Sequence, residues 1–185
     1  KMASTSSFVR IFLLAVFLIG LDGAIAQDEL RPIFFRDADA AKDAADALDA
    51  RLLAPRSYGK GMEDYQDAEA SLEGGGNIEY VRRKAGEAEE NFRAAAKAAE
   101  VAHTELAQVM KSRQDAANAR APDLASEAWD RAQREFGNAI RYLERDDLQR
   151  AEDNEIEATI YYRDAELIAI KAQYLSETRQ LLADA

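Results

Sequence analysis

The sequence has 185 residues, 48% hydrophobic and 32% charged, with 24 basic and 35 acidic side chains and a formal net charge of −11. This balance excludes a surface that follows nucleic-acid phosphates, since such surfaces need clustered lysine and arginine, and it disfavours strong binding to anionic lipid headgroups. The chain has no cysteine, which excludes disulfides, thiolate metal sites, thiol nucleophiles and a lipid-modified cysteine.

The N-terminus has the order of a secretory signal peptide. Basic Lys1 and Arg10 precede an apolar run over 11–21, and the small-residue triplet 24–26 follows. This run is too short to cross a bilayer about 30 Å thick, which takes roughly 20 helical residues. We predict a signal peptide over 1–26 that is cleaved after Ala26, with an uncleaved membrane anchor as the alternative. The mature chain, of net charge −12, would be periplasmic or secreted.

The remainder of the chain, residues 27–185, is predicted to form a single all-α domain. Small and apolar residues recur at steps of three and four, which indicates amphipathic helices. The predicted elements are a helix at 37–53, a first short-long hairpin over 55–118 and a second short-long hairpin over 122–182. We expect an elongated antiparallel helical bundle or an array of helical hairpins, with short and long helices alternating.

The first and last predicted helices carry distinct apolar patterns. In the first helix the buried stripe is expected at Ala38, Ala41, Ala45, Leu48 and Leu52. In the last helix a stripe of mostly small residues is accompanied by a second apolar edge, formed by Ile156, Ile160, Leu167, Ile170 and Tyr174. Two apolar edges on one helix predict contact with more than one neighbour.

The two hairpins share a sequence pattern. In the short helices a shift of 71 positions superimposes Tyr58 on Trp129 and Tyr65 on Phe136. In the long helices after the turn a shift of 70 superimposes Phe92 on Tyr162. An Ala-Pro pair also stands near the start of each short helix, at Ala54-Pro55 and Ala121-Pro122. We interpret the pattern as an internal duplication. The alternative is that two alanine-rich amphipathic helices align through their periodicity alone.

This arrangement resembles an α-helical domain of unknown function that occurs in exported bacterial envelope proteins, often upstream of an OmpA-like peptidoglycan-binding domain. The residues that carry the resemblance are Ala54, Pro55, Tyr58, Tyr65, Ala68 and Leu72, then Ala121, Pro122, Trp129, Ala132, Phe136, Ala139 and Leu143. The resemblance covers about 37–182. It implies an envelope location and tethering through a peptidoglycan-binding domain that this sequence does not contain; the missing cysteine departs from the members that are lipoproteins.

No residue pattern indicates catalysis. The spacing of Glu100 and His103 resembles half of a di-iron site, but such a site needs two of these motifs and His103 is the only histidine. The runs 87–90 and 152–155 are acidic and are predicted to be solvated helix faces, with weak divalent-cation binding as the alternative. The glycine run 74–76 lacks the lysine of a phosphate-binding loop. We therefore assign no catalytic, cofactor-binding or metal-binding residue, no cofactor and no enzymatic activity.

The sequence favours a non-catalytic exported module that acts as a spacer or a protein-interaction surface in the bacterial cell envelope. Its expected partners are envelope proteins or further copies of itself, with no nucleic acid and no strong direct membrane binding after signal cleavage. The alternative is a periplasmic holdase or carrier that binds apolar ligands in a groove lined by Phe92, Trp129, Phe136 and Tyr162. Large aromatic residues at such positions are more often core.

Overall fold

A computed structural model of the chain describes residues 30–184, in which all the regular structure is α-helical. The helices are α1 (30–47), α2 (Ala50–Leu53), α3 (Pro55–Glu73), α4 (Ile78–Glu105), α5 (Ala107–Asn118), α6 (Ala121–Leu124), α7 (Ser126–Leu143) and α8 (Leu148–Ala183). The all-α prediction is confirmed. The predicted signal peptide lies outside the described residues.

None of the helices within 30–184 combines the length and the apolar character needed to cross a membrane.

The contacts divide the described residues into two compact units. Unit 1 comprises 30–47 and 57–94, which are α1, nearly all of α3 and the first part of α4. Unit 2 comprises 48–56 and 95–184, which include the end of α4 and the helices α5, α7 and α8. Each unit is therefore built on three principal helical segments, two of which form a hairpin through a short turn.

Unit 1 buries one narrow face of each helix. Phe35 of α1 and Phe92 of α4 are fully buried, and Tyr65 of α3 is 7% exposed. Alanine fills most other inward positions, so the helices can approach closely between the large rings. The buried alanines of this unit are Ala38, Ala41, Ala45, Ala68, Ala85 and Ala88.

Unit 2 repeats the arrangement with different side chains. A shift of 71 places Phe35 on Leu106 and Ala38 on Val109, and all four residues are at most 2% exposed. The stretch 101–118 therefore takes the place in unit 2 that α1 takes in unit 1. The unit of repetition has three helical segments, one more than the predicted short-long hairpin.

The turns of the two units also correspond in backbone conformation. The left-handed residue before the short corner helix is Asp49 (φ 52°) in one repeat and Arg120 (φ 62°) in the other. In the hairpin turns the left-handed residues are Gly75 (φ 65°) and Asp146 (φ 58°). The duplication inferred from the sequence thus extends to the backbone of its turns.

The long helix of each hairpin begins at a side-chain cap. Asn77 Oδ1 accepts a hydrogen bond from the backbone N–H of Glu79 at 2.8 Å, and Asp147 Oδ1 accepts one from the N–H of Arg150 at 3.3 Å. A shift of 70 superimposes these two caps. Both satisfy backbone donors that the first helical turn leaves free.

Two predicted helices are interrupted. The predicted helix 37–53 is already helical at residue 30, where the described residues begin, and breaks at 48–49, where Asp49 is left-handed. The break changes the phase of the helix, so Ala50 and Leu53 are buried and Leu52 is 39% exposed. The predicted burial of Leu52 is therefore wrong. The predicted long helix 78–118 is divided at Leu106 into α4 and α5.

The two Ala-Pro pairs do not occupy equivalent places. Pro55 is the first residue of α3, whereas Pro122 lies in the first turn of the four-residue helix α6. The structural counterpart of Ala54 is Ala125, since both have φ −144° and directly precede equivalent helices, α3 and α7. Proline's fixed φ suits a first helical turn in either place, so the shared dipeptide does not mark equivalent points of the repeat.

Candidate functional site

The aromatic residues at the repeat positions form matching clusters. In unit 1 the ring centroids of Tyr58 and Phe92 lie 5.4 Å apart and those of Tyr65 and Phe92 lie 6.2 Å apart. In unit 2 the distances are 5.2 Å from Trp129 to Tyr162 and 6.3 Å from Phe136 to Tyr162. All four pairs meet edge to face at 62–68°. Such packing stabilises aromatic pairs beyond their area burial.

The rings of these clusters lie in the core and do not together line a groove, although Phe136 borders a cavity. Phe92, Phe136 and Tyr162 are at most 1% exposed, and only Trp129 is half-buried. The Tyr162 hydroxyl donates to Gln133 Oε1 at 2.6 Å, and burial raises the pKa of Tyr162 above its usual range. An aromatic cleft with all four residues accessible to ligand is therefore not present in the described structure.

A charged network joins α1 to α3 in unit 1. The Tyr65 hydroxyl donates to Asp39 Oδ1 at 2.5 Å and accepts from Arg31 Nη2 at 2.6 Å. Arg31 Nη2 also donates to Glu69 Oε1 at 2.9 Å, and this bond raises the pKa of the guanidinium. Burial, followed by the bond to Asp39, raises the pKa of Tyr65. The hydroxyl is therefore a neutral, structural group.

A second network joins α3 to α4 around a buried carboxylate. Asp64 is 5% exposed and accepts hydrogen bonds from Lys84 Nζ at 2.6 Å and Asn91 Nδ2 at 2.9 Å. The bond to Asp64 raises the pKa of Lys84, so the lysine remains charged. Because both carboxylate oxygens have partners, Asp64 has the environment of a structural ion pair and holds α3 against α4.

Sequence reasoning did not identify either network. One signal was available for Asp64: it lies three residues after Gly61 and four before Ala68, on the stripe that faces the core. A carboxylate on a buried face requires a partner, and Lys84 across the turn is the partner found. No such periodicity marks Arg31, whose contacts reach 34 and 38 residues along the chain.

Unit 2 contains a cluster of three carboxyl groups. Glu105, Glu152 and Glu155 line a cavity of about 360 Å³ together with Leu106, Leu143, Leu148 and Ala151. Burial raises the pKa of Glu155, and the neighbouring charges of Glu152 and Glu105 raise it further. The cluster includes two members of the predicted solvated run, Glu152 and Glu155, and the second of these is only half exposed.

The remaining candidates from the sequence occupy structural positions. His103 Nε2 lies 3.1 Å from the backbone carbonyl oxygen of Leu48, and Glu100 is exposed. Glu87 accepts from Arg83 at 2.6 Å, whereas Glu90 is exposed on the surface of α4. Within residues 30–184 no group of three or more histidine, aspartate or glutamate side chains is arranged to hold a metal ion.

The outer edge of α8 is an apolar surface that the repeat does not explain. Ile156, Ile160, Leu167, Tyr174 and Leu181 are between 49% and 72% exposed. They follow one another at steps of four or seven and so lie on one face, opposite the buried stripe that contains Ala158, Tyr162 and Ala165. Large contiguous apolar surfaces commonly mark sites of protein interaction.

The same face is polar in the preceding long helix. A shift of 70 places Ile156 on Gly86, Ile160 on Glu90, Leu167 on Lys97, Ile170 on Glu100 and Tyr174 on Thr104. The inward faces of α4 and α8, by contrast, match in burial: Ala88 and Ala158, and Phe92 and Tyr162, are all fully buried. The apolar edge is therefore additional to the packing of the repeat, and it is the best candidate for a functional surface.

No protein-family model, curated protein or solved structure matches this chain. The resemblance to the envelope domain therefore stays a prediction.

Proposed function

We propose that the protein is a non-catalytic, exported helical module that provides an interaction surface in the cell envelope. The single observation that carries this proposal is the outer edge of α8, which is apolar where the equivalent face of α4 is polar. Apolar side chains on a solvated helix face lower solubility unless a partner covers them. Their concentration on one helix supports a binding role for that helix.

The polar chemistry of unit 1 also supports a structural role. The charged groups of the two networks are paired with one another across helices, with Asp64 held by Lys84 and Asn91 and Tyr65 held by Asp39 and Arg31. A catalytic acid or base must be able to exchange a proton with a substrate at working pH. The networks join helices and present no such group in a cleft.

Export is tested by expressing the whole chain in a bacterium and comparing it with a variant that lacks residues 1–26. We expect the whole chain in the periplasmic or secreted fraction with Gln27 as its first residue, and the shortened variant in the cytoplasm. A mature protein that retains Met2 would overturn the predicted cleavage, and equal distribution of the two forms would overturn the localisation.

The interaction role is tested with a photo-crosslinking residue placed at Ile160 of α8 and, as a matched control, at Glu90 of α4. Both positions are exposed and equivalent in the repeat. Position 160 should give defined crosslinked species in intact cells and position 90 should give none. Equal crosslinking at the two positions would contradict a specific surface on α8.

The carrier alternative has one specific observation in its favour. A cavity of about 440 Å³ in unit 2 has apolar and polar walls. Its apolar lining includes Leu52, Pro55, Phe136 and Ile140, and its polar lining consists of Arg56, Gln133, Arg141 and Glu144. Gly137 also lines it, and a Cβ at this position would meet no atom within 4 Å. Gly137→Trp should therefore fill the cavity without unfolding the protein. Saturable fatty-acid binding that this substitution abolishes would favour the carrier role.

A further inference from the structure

We infer that the outer edge of α8 pairs with the same edge of a second copy of this chain, in antiparallel orientation. The inference names the partner for the proposed interaction surface and so rests on that proposal. The order of the residues along the edge, their exposure and the charges between them support this pairing.

The edge has the spacing of a coiled-coil seam. Eight positions follow one another at alternating steps of four and three, namely Ile156, Ile160, Arg163, Leu167, Ile170, Tyr174, Glu177 and Leu181. Six of the eight are apolar, and the seam is about 38 Å long at a rise of about 1.5 Å per residue. A repeat of this kind directs a helix to pack along another helix of matching period. Along the seam only Ile170 is half-buried, and the other seven residues are exposed.

The two charged positions select the orientation. In a parallel pair each residue meets its own copy, which places Arg163 against Arg163 and Glu177 against Glu177 inside the seam. Like charges in direct opposition destabilise an interface. In an antiparallel pair the seam runs in opposite directions, and Arg163 lies beside Glu177 of the second copy. The opposite charges then attract.

The antiparallel register matches the seam from end to end. When Leu167 faces Ile170 of the second copy, Ile156 faces Leu181 and Arg163 faces Tyr174, which suits a cation–π contact. Ile160 then faces the methylene groups of Glu177, whose carboxylate lies next to Arg163. At the border of the seam Asp164 faces Lys171 of the second copy, and both residues are exposed. The edge is thus complementary to itself in shape and charge.

The first unit provides the substitutions for the test. Ile160→Glu with Leu167→Lys gives α8 the residues that α4 carries at the equivalent positions, Glu90 and Lys97, so the helix should still fold. The control is Glu90→Lys with Lys97→Glu, which exchanges two exposed charges in α4. All proteins are expressed from the full sequence with the same N-terminus, so any contribution of residues 1–26 is common to all.

Sedimentation equilibrium measures the result. The unsubstituted protein and the α4 control should be dimers, and the α8 variant should dissociate about 100-fold more readily with unchanged helicity. A monomeric unsubstituted protein, or an α8 variant that dimerises as tightly as the control, would overturn the inference. Export and crosslinking of such a monomer to another envelope protein would leave the proposed function standing and assign the edge to that protein.

A charge exchange tests the orientation. Arg163→Glu and Glu177→Arg should each weaken the dimer, and the two together should restore it. The residues are 14 positions apart on one helix, about 21 Å at 1.5 Å per residue, so they cannot compensate within a chain. A double variant weaker than either single variant would refute the antiparallel pairing.

Engineered cysteines give an independent readout, since the chain has none of its own. Ile160→Cys and Glu177→Cys proteins should form a disulfide when mixed and none when oxidised separately, because antiparallel pairing brings position 160 of one copy to position 177 of the other. A rapid disulfide within the Ile160→Cys protein alone would indicate parallel pairing and overturn the inference.

Discussion

In unit 1 the Tyr65 hydroxyl lies within a network of charged side chains, whereas its counterpart Phe136 in unit 2 has no hydroxyl and borders a cavity of mixed apolar and polar lining. Buried Asp64 in unit 1 corresponds to half-buried Glu135 in unit 2, which accepts a hydrogen bond from the nearby Asn138. The rings themselves keep their spacing in both units. The repeat therefore depends on apolar shape, and its polar contacts can be exchanged.

The largest expected effect comes from removing the central ring of either unit. Phe92→Ala and Tyr162→Ala should each lower the free energy of unfolding by about 3–5 kcal/mol, because both side chains are fully buried and contact two rings. Denaturant titration followed by circular dichroism measures this loss, with exposed Lys97→Ala as the control. If either ring substitution lowers the free energy of unfolding no more than the control does, the two clusters do not contribute equally to stability.

A smaller effect on stability should distinguish the two units at Gly61, whose counterpart in unit 2 is the buried Ala132. A Cβ at Gly61 would lie 2.8 Å from Phe92 Cδ1, so Gly61→Ala should destabilise the protein by about 1–3 kcal/mol through overpacking. Gly59→Ala, in the same helix with no atom within 4 Å of the new Cβ, should instead stabilise it by up to about 1 kcal/mol. Thermal melts of the two variants should therefore shift in opposite directions. Equal shifts would mean that Phe92 can move aside.

The smallest effect concerns Glu155, which stands where unit 1 has the buried Ala85. Its pKa is raised in the folded protein, chiefly by burial, so folding favours its protonated form. The resulting stability is present at pH below the ordinary glutamate pKa and is lost as pH rises through the folded pKa. Glu155→Gln should therefore raise the thermal midpoint at neutral pH and lose this advantage in acid, whereas exposed Glu157→Gln should have little effect at either pH. If the rise in the thermal midpoint of Glu155→Gln were the same in acid as at neutral pH, the raised pKa of Glu155 would be wrong.

Much of the fold follows from periodicity. The spacing of Tyr58, Tyr65 and Ala68 predicted the buried face of α3, and the same spacing predicted Trp129, Phe136 and Ala139 in α7. The breaks at Asp49 and Leu106 could not be predicted this way, because neither residue is a glycine or a proline. The left-handed backbone at Asp49 carries an intrinsic cost that local sequence does not repay.

The candidate surface was partly visible in the sequence. Ile156, Ile160 and Leu167 form a second apolar edge, which predicted more than one neighbour for the last helix. Their exposure could not be predicted, since an apolar edge can equally face another helix of the same chain. The charged network at Arg31 was also hidden, because long-range polar contacts leave no period in the sequence.

The residues before α2 and α6 have the same left-handed backbone geometry but opposite charges, since Asp49 is acidic and Arg120 is basic. Neither side chain caps the helix that follows. The buried alanines directly after them, Ala50 and Ala121, are fully enclosed in both cases. The side-chain charge at this corner therefore differs between the two repeats while the backbone bend is the same. A search for this corner in other sequences should look for the bend and not for a particular residue.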